Sequence, residues 1–178
     1  MSTSIHVAIE QRQVAGWVNI HAEPDINWNP KVGTPFCALS WQNYDLFGFL
    51  AGVRRSPLSN PIAAGRGLPD DTTEETLDAI APYSSAMLGG GYGGWSHPEP
   101  TTPNERAAES GSEHELYGFS WVGLEELLSV DYDQVIQTEH GDPATCRDML
   151  GTWYFKNLDD LSKLKQKGGI RLLFCFTG

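Results

Sequence analysis

Three arginines on irregular backbone are the residues in this chain whose chemistry is easiest to name. They lie in the stretch from Asn43 to Asp71, NYDLFGFLAGVRRSPLSNPIAAGRGLPDD. Arg54 and Arg55 follow Gly52 at the end of an aromatic, helical pattern. Arg66 sits between Gly65 and Gly67 and leads into Leu68, Pro69 and Asp70. A guanidinium is a planar fork of donors that matches a phosphate bidentately. Flanking glycines let the backbone approach a ligand closely, and a proline stiffens the exit. Loops carry binding residues more often than packed elements do. These residue types suit the capture of an anionic small molecule, with Arg54, Arg55, Arg66, Gly67 and Asp70 as its frame. The structural alternative is that Arg54 pairs with Asp70 or Asp71 and only pins the loop, since exposed pairs are common and weak.

Aromatic side chains near this stretch supply stacking surfaces for a base. Tyr44 and Trp41 stand at the start of the helix and are the candidate pocket walls. Trp121 joins them, with a staple before the next helix as its structural alternative. Phe47, Phe49 and Trp153 fall at helical spacing and read as core. A second chemistry uses His6 and Glu10, which share a strand face, and His114, which stands between Glu113 and Glu115. Such a trio can transfer protons or hold a metal. The spacing argues against both roles. No HxH, HxxxH or HEXXH pattern is present, Asp131-Tyr132-Asp133 alone is weak, GGGYGG is not a P-loop, and GxSxG is absent. The residues therefore imply neither cofactor nor metal.

Charge narrows the partners. The 178 residues carry a net charge of −11, with 23 acids against 12 bases. That surface repels a nucleic-acid backbone. The acids come in pairs such as Asp70-Asp71 and Glu125-Glu126, not in the dense runs that a mimic of DNA would need. No run approaches the length of a membrane span, and MSTSIHVAIEQRQ lacks the basic and apolar regions of a signal peptide. Three cysteines, Cys37, Cys146 and Cys175, show no CxxC spacing, so neither a disulfide framework nor structural zinc is expected. Together these features predict a cytoplasmic protein without a membrane partner.

The elements that must position these residues follow from periodicity. Ser4 to Gln11 alternates, with Ile5, Val7 and Ile9 on one face, and predicts a half-buried strand with Trp17–Ile20 as its hairpin partner. Asn43 predicts an N-cap and Gly52 a C-terminal stop for a helix between them. Thr72 and Glu75 form the pattern of a capping box for a second helix. Residues 84–114 are rich in Gly, Pro and Ser and predict a flexible loop or insertion, with Tyr92 and Trp95 as the sole argument for a flap. A strand over Leu116–Trp121 and a short helix over Gly123–Val130 come next. Asp142 and Pro143 predict the start of a long helix, with a break at Asn157 and a stop at Gly168. Ile170–Phe176 is an almost unbroken apolar run, the mark of a central strand buried on both faces. The order predicts one α+β domain: a small, mainly antiparallel sheet holding the first and last strands, with helices packed on one face.

Taken in order, several of these pieces resemble a family of small proteins encoded mostly by bacteriophages and prophages. The resemblance rests on the first strand, on Tyr44-Asp45-Leu46-Phe47-Gly48-Phe49-Leu50-Ala51-Gly52-Val53-Arg54, and on Arg66-Gly67-Leu68-Pro69-Asp70-Asp71. It continues through Ser120-Trp121-Val122-Gly123-Leu124-Glu125-Glu126-Leu127 and the last strand. The chain departs from the pattern at His114, which is displaced from the family's His-Ser-x-Ser-Trp run, and in a longer 84–112. Small phage proteins of this kind often counter host immunity. Some sequester cyclic dinucleotides or ADP-ribose-derived signals without cleaving them. The resemblance therefore implies a phage-type accessory protein in the host cytoplasm that binds a nucleotide immune signal, and it allows a homo-oligomer, since many such proteins bind at subunit interfaces. A hydrolase of the same signal, of phosphodiesterase type, and an inhibitor of a host protein are the alternatives.

Overall fold

The structure, a computed structural model, describes residues 2–20, 39–58, 60–83, 99–138, 141–165 and 168–178. Its centre is a four-stranded antiparallel sheet. Strand β1 spans Ser4–Gln13 and turns into β2, Gly16–Asn19, with Glu10 opposite Asn19. On its other side β1 pairs with β6, Ile170–Thr177, from Ser4 opposite Thr177 to Gln11 opposite Ile170. Strand β3, Leu116–Gly123, flanks β6, so the order is β2-β1-β6-β3. The first and last strands are hydrogen-bonded neighbours, as their patterns predict. The unbroken apolar run of β6 has the expected cause: seven of its eight residues, Ile170 to Phe176, are buried.

Helices cover both faces, not one. Strand side chains alternate, so Ile5, Val7 and Ile9 of β1 and Leu172, Phe174 and Phe176 of β6 share one face and one apolar cluster. That cluster takes in α1 (Tyr44–Ala51), α4 (Leu124–Leu128) and α5 (Cys146–Leu164). Ala8, Leu173 and Cys175 point the other way, to Leu77 and Ile80 of α2 (Glu74–Ile80) and Ala107 of α3 (Pro103–His114). A central strand with two apolar faces needs cover on both. A small two-stranded sheet, β4 (Val135–Gln137) with β5 (Pro143–Thr145), leads into α5.

Most helix ends follow local chemistry. The Asn43 side chain accepts from the backbone N–H groups of Asp45 and Leu46, and Gly52 closes α1 at φ 69°. Thr73 caps α2, one residue later than expected, because the Thr72 hydroxyl donates to the Pro69 carbonyl instead. Thr145 caps α5, so Asp142 and Pro143 precede the helix. The non-helical residue inside α5 is Gly151 (φ 75°, ψ 170°) and not Asn157, whose buried amide accepts from the Leu39 N–H and donates to the Trp153 carbonyl. The largest departure is α3, which occupies 103–114 inside the expected loop. Thr102, Pro103 and Glu105 form its capping box and N-terminal proline, and its buried face is only Pro103, Ala107 and Ser110. Tyr92, Trp95 and Cys37 lie outside the described residues.

One buried ion pair crosses the sheet. Glu10 on β1 stands directly opposite Arg171 on β6, and both are almost wholly shielded from solvent. Arg171 Nε donates to Glu10 Oε2 at 2.7 Å. Its Nη1 donates to Asp71 Oδ1 at 2.7 Å and its Nη2 to the Asp71 carbonyl at 3.0 Å. Glu10 Oε1 accepts the Thr73 N–H at 2.8 Å. The Trp17 ring lies 4.1 Å from the Arg171 guanidinium carbon. Removing one partner of such a pair strands an unpaired charge and costs about 3–5 kcal/mol. We therefore expect Glu10→Leu to lower stability by about that amount in urea denaturation. Adding Arg171→Met should restore much of the loss, because the stranded charge goes with it. A double variant no better than the single one would contradict this account.

Candidate functional site

The stretch from Asn43 to Asp71 divides into two parts with different surroundings. Its second part, Arg66 to Asp71, is tied down almost residue by residue. The Arg66 fork grips Glu126 of α4 bidentately, at 3.0 and 2.7 Å. The same guanidinium donates to the Ile62 carbonyl at 2.7 Å and the Trp121 carbonyl at 3.4 Å, and lies 5.4 Å from the Trp121 ring. Gly67, at φ 70°, leaves room for Asn104: a Cβ there would sit 2.6 Å from Asn104 Oδ1. Asn104 pairs with Leu68 as a backbone would, accepting its N–H at 2.8 Å and donating to its carbonyl at 2.9 Å. Asp71 then meets Arg171 as described above, with Arg12 at 3.9 Å.

These contacts account for Gly67 and Arg66 without a ligand. The open position at Gly67 serves the Asn104 side chain, and the fork of Arg66 is filled by a carboxylate. The Arg66 hydrogen bond holds the Glu126 carboxyl below its ordinary pKa, against the opposing effect of burial. Trp121 is packed between that guanidinium and the second apolar cluster. The pairing of Arg54 with Asp70 or Asp71 is replaced: Arg171 and Arg12 take Asp71, and Arg54 turns elsewhere.

Arg54 is the other part. It occupies the left-handed region at φ 67°, as do two other non-glycine residues among those described, Leu39 and Glu115. A bulky residue there stores strain of about 1–3 kcal/mol, and such strain clusters at functional sites. The corner forms because Gly52 and Val53 fold back on α1, their N–H groups donating to Gly48 and Phe47. Arg54 Nε donates to Thr3 Oγ1 at the start of β1. Its guanidinium carbon lies 5.5 Å from the Tyr44 ring. Gln42 ties the same corner together, donating to the Thr3 carbonyl at 3.3 Å and to the Tyr44 hydroxyl at 3.2 Å. Arg55 is exposed beside it, and Trp41 packs partly buried against the core. Arg54 and Tyr44 are thus brought together, with Arg55 next to Arg54 in the chain, while Arg66, Gly67 and Asp70 belong to the other part of the stretch, where Arg66 meets Trp121.

The proton-transfer candidates have separate partners. Glu10 is consumed by Arg171 and the Thr73 N–H. His6 Nε2 lies 3.2 Å from Thr177 Oγ1, and the protein packed about the ring holds its pKa below the ordinary value. His114 ends α3 with Glu113 3.8 Å away. Asp133 pairs with Arg147 at 2.8 Å. Among the described residues no cluster of His, Cys, Asp and Glu fits a metal ion, and no helix is long and apolar enough to cross a membrane. Reading residue types along the chain passes over the partners that matter most, Glu126, Asn104 and Arg171, because their roles depend on strands and helices distant in sequence.

The Arg66–Glu126 pair is partly exposed, so solvent screening reduces its worth. We expect Arg66→Ala to lower stability by about 1–2 kcal/mol, below the full range for a charged hydrogen bond. The same change in a Glu126→Gln background should cost less, and a double-mutant cycle measures the difference. Because the Glu126 pKa is depressed, this contribution is complete above the ordinary glutamate pKa. It is lost as pH falls through the lowered value, so urea midpoints of wild type and Arg66→Ala should converge below about pH 4. Additive losses at pH 7 would show that the two side chains are not coupled.

No protein-family model matches this chain, and no curated protein or solved structure matches it.

Proposed function

We propose that this protein binds a phosphate-bearing small molecule at the Arg54 corner, with Arg54 and Arg55 facing the phosphate and Tyr44 stacking beside it. The observation that carries the reading is the backbone of Arg54. A non-glycine residue held at φ 67°, with its guanidinium laid along an exposed tyrosine, is costly geometry for a surface charge. In a chain of net charge −11, two adjacent arginines gather positive charge at one corner. Thr3 and Gln42 orient the fork and the ring before a ligand arrives, which lowers the entropy lost on binding.

Binding without chemistry fits the surroundings better than hydrolysis does. The acids and histidines that would move protons are engaged elsewhere, Glu10 in an ion pair and His6 with Thr177. The resemblance to phage proteins supplies the context. Sequestering a nucleotide immune signal, a cyclic dinucleotide or an ADP-ribose derivative, would counter host defence in the host cytoplasm.

The test is calorimetric titration with a panel of these nucleotides. Arg54→Ala should weaken binding by about 1.5–3 kcal/mol, the worth of a hydrogen bond to a charged group. Arg54→Lys should recover only part, because an ammonium lacks the fork. Arg66→Ala should lose stability and keep its affinity. Ligand recovered after heat denaturation should be intact, whereas products would reveal a hydrolase. Unaltered affinity in Arg54→Ala would remove the basis of the proposal.

A further inference from the structure

A second irregular backbone position lies at the same end of the sheet. In β3, Tyr117 stands opposite Phe176 and Ser120 opposite Phe174. Gly118 and Phe119 therefore face Cys175 alone, which is a β-bulge. Gly118 has φ 67°, the left-handed value that a bulge of this type requires of its first residue. It is also crowded: a Cβ there would lie 3.0 Å from the Phe176 ring and 3.6 Å from Val53, the residue before Arg54. Both the backbone angle and the packing demand glycine.

The bulge changes which way Tyr117 points. In a regular strand, Tyr117 and Trp121 would share a face, since they are four residues apart. Trp121 packs with Leu173 and Cys175 on the α2–α3 side. The extra residue reverses the alternation, so Tyr117 joins Phe176 on the α1 side, with ring centroids 6.1 Å apart. There a continuous band of rings runs from Tyr117 to Phe176, from Phe176 to Phe47 at 5.3 Å, and from Phe47 to Tyr44 at 5.9 Å. The two middle rings are buried completely. The two end rings are open, Tyr117 at 36% and Tyr44 at 41% exposure. Val53, packed beside Gly118, brings the Arg54 corner to the same band.

We infer that Tyr44 and Tyr117 are two stacking floors of one site and that its ligand carries two bases joined through phosphate, as a dinucleotide does. The inference rests on the binding reading given above. A mononucleotide or ADP-ribose has one base and would leave one tyrosine unused. Two open rings at the ends of the band, with a guanidinium on one of them, offer two flat surfaces for bases and a phosphate contact beside the first. Every base has a π face, so this arrangement selects ligand shape more than base identity.

The experiment is titration of cyclic di-AMP, cyclic di-GMP, ADP-ribose and AMP into wild type, Tyr44→Ala, Tyr117→Ala, Tyr117→Phe, Tyr117→Leu and Arg54→Ala. At least one cyclic dinucleotide should bind wild type about tenfold or more tightly than AMP and ADP-ribose do. Tyr44→Ala and Tyr117→Ala should each weaken it about tenfold, within the range for loss of a base–aromatic stack. Tyr117→Phe should bind as wild type does. Tyr117→Leu still covers Phe176 but has no π face, so it should weaken binding with its melting temperature near that of wild type. If Arg54→Ala weakens binding and the Tyr117 variants do not, the two-floor inference falls and the binding reading stands. ADP-ribose binding more tightly than either cyclic dinucleotide has the same consequence. If Arg54→Ala is unaltered, or none of the four probes binds, both fall together.

Discussion

Charge buried between β1 and β6 is the constraint on which the rest of this fold depends. Glu10 and Arg171 are 161 residues apart and directly cross-strand, inside a sheet that is apolar on both faces. Neither can be left alone there, because an unpaired buried charge costs several kcal/mol. Their geometry requires additional partners for the remaining donors and lone pairs. Arg171 finds them in the side chain and carbonyl of Asp71, and Glu10 finds one in the Thr73 N–H. The loop entering α2 is thereby fixed to the middle of the sheet. Trp17 of β2 closes over the guanidinium. A register slip of one residue between β1 and β6 would carry these charges to the wrong face, so the pair also specifies the register.

The segment from Ile62 to Thr73 reads differently in this light. It runs across the edge of the sheet and is anchored in turn by Glu126 and Trp121 through Arg66, by Asn104 through Leu68, and by Arg171 through Asp71. Each anchor comes from a different element: α4, β3, α3 and β6. Arg66 also occupies the Trp121 carbonyl of the edge strand β3. An edge group occupied in this way is one less template for pairing with another chain. Glycines and an arginine on irregular backbone are the same residue types that a phosphate loop uses, which is why the two roles look alike before the partners are known.

What the sequence reveals of this protein follows the distance over which each signal acts. Asn43 and Gly52 bound α1 through contacts a few residues away, and both are legible. The alternation of β1 and the apolar run of β6 need no partner to be read, so their pairing follows. Helix α3 is hidden by its composition. Its buried residues are a proline, an alanine and a serine, and a face this small leaves no periodic signal. Its capping box, Thr102 with Glu105 behind Pro103, was the available mark. Helices on both faces were implied by β6 itself, since a strand apolar on two sides cannot be covered on one. At the candidate site Arg54, Arg55 and Tyr44 were legible as residue types. Tyr117 was not, because its face depends on a bulge, and a glycine within a strand pattern marks a bulge without saying which side chain it turns.

Strain and rigidity are distributed unevenly between the two ends of the sheet. At the Glu10–Arg171 end the polar groups are satisfied by one another, and the surrounding elements are locked to them. At the opposite end the backbone is left-handed at Arg54 and at Gly118, as it is at Glu115 just before β3, and Val53 lies beside both Arg54 and Gly118. Neither Arg54 nor Gly118 has the geometry of a regular turn or strand. Each instead brings a side chain to one surface: a guanidinium onto Tyr44, and the Tyr117 ring onto the band that ends there. Local strain survives only where the remaining structure over-determines it. A sheet held in register by a buried ion pair at one end provides that support for the irregular end, where the proposed binding surface lies.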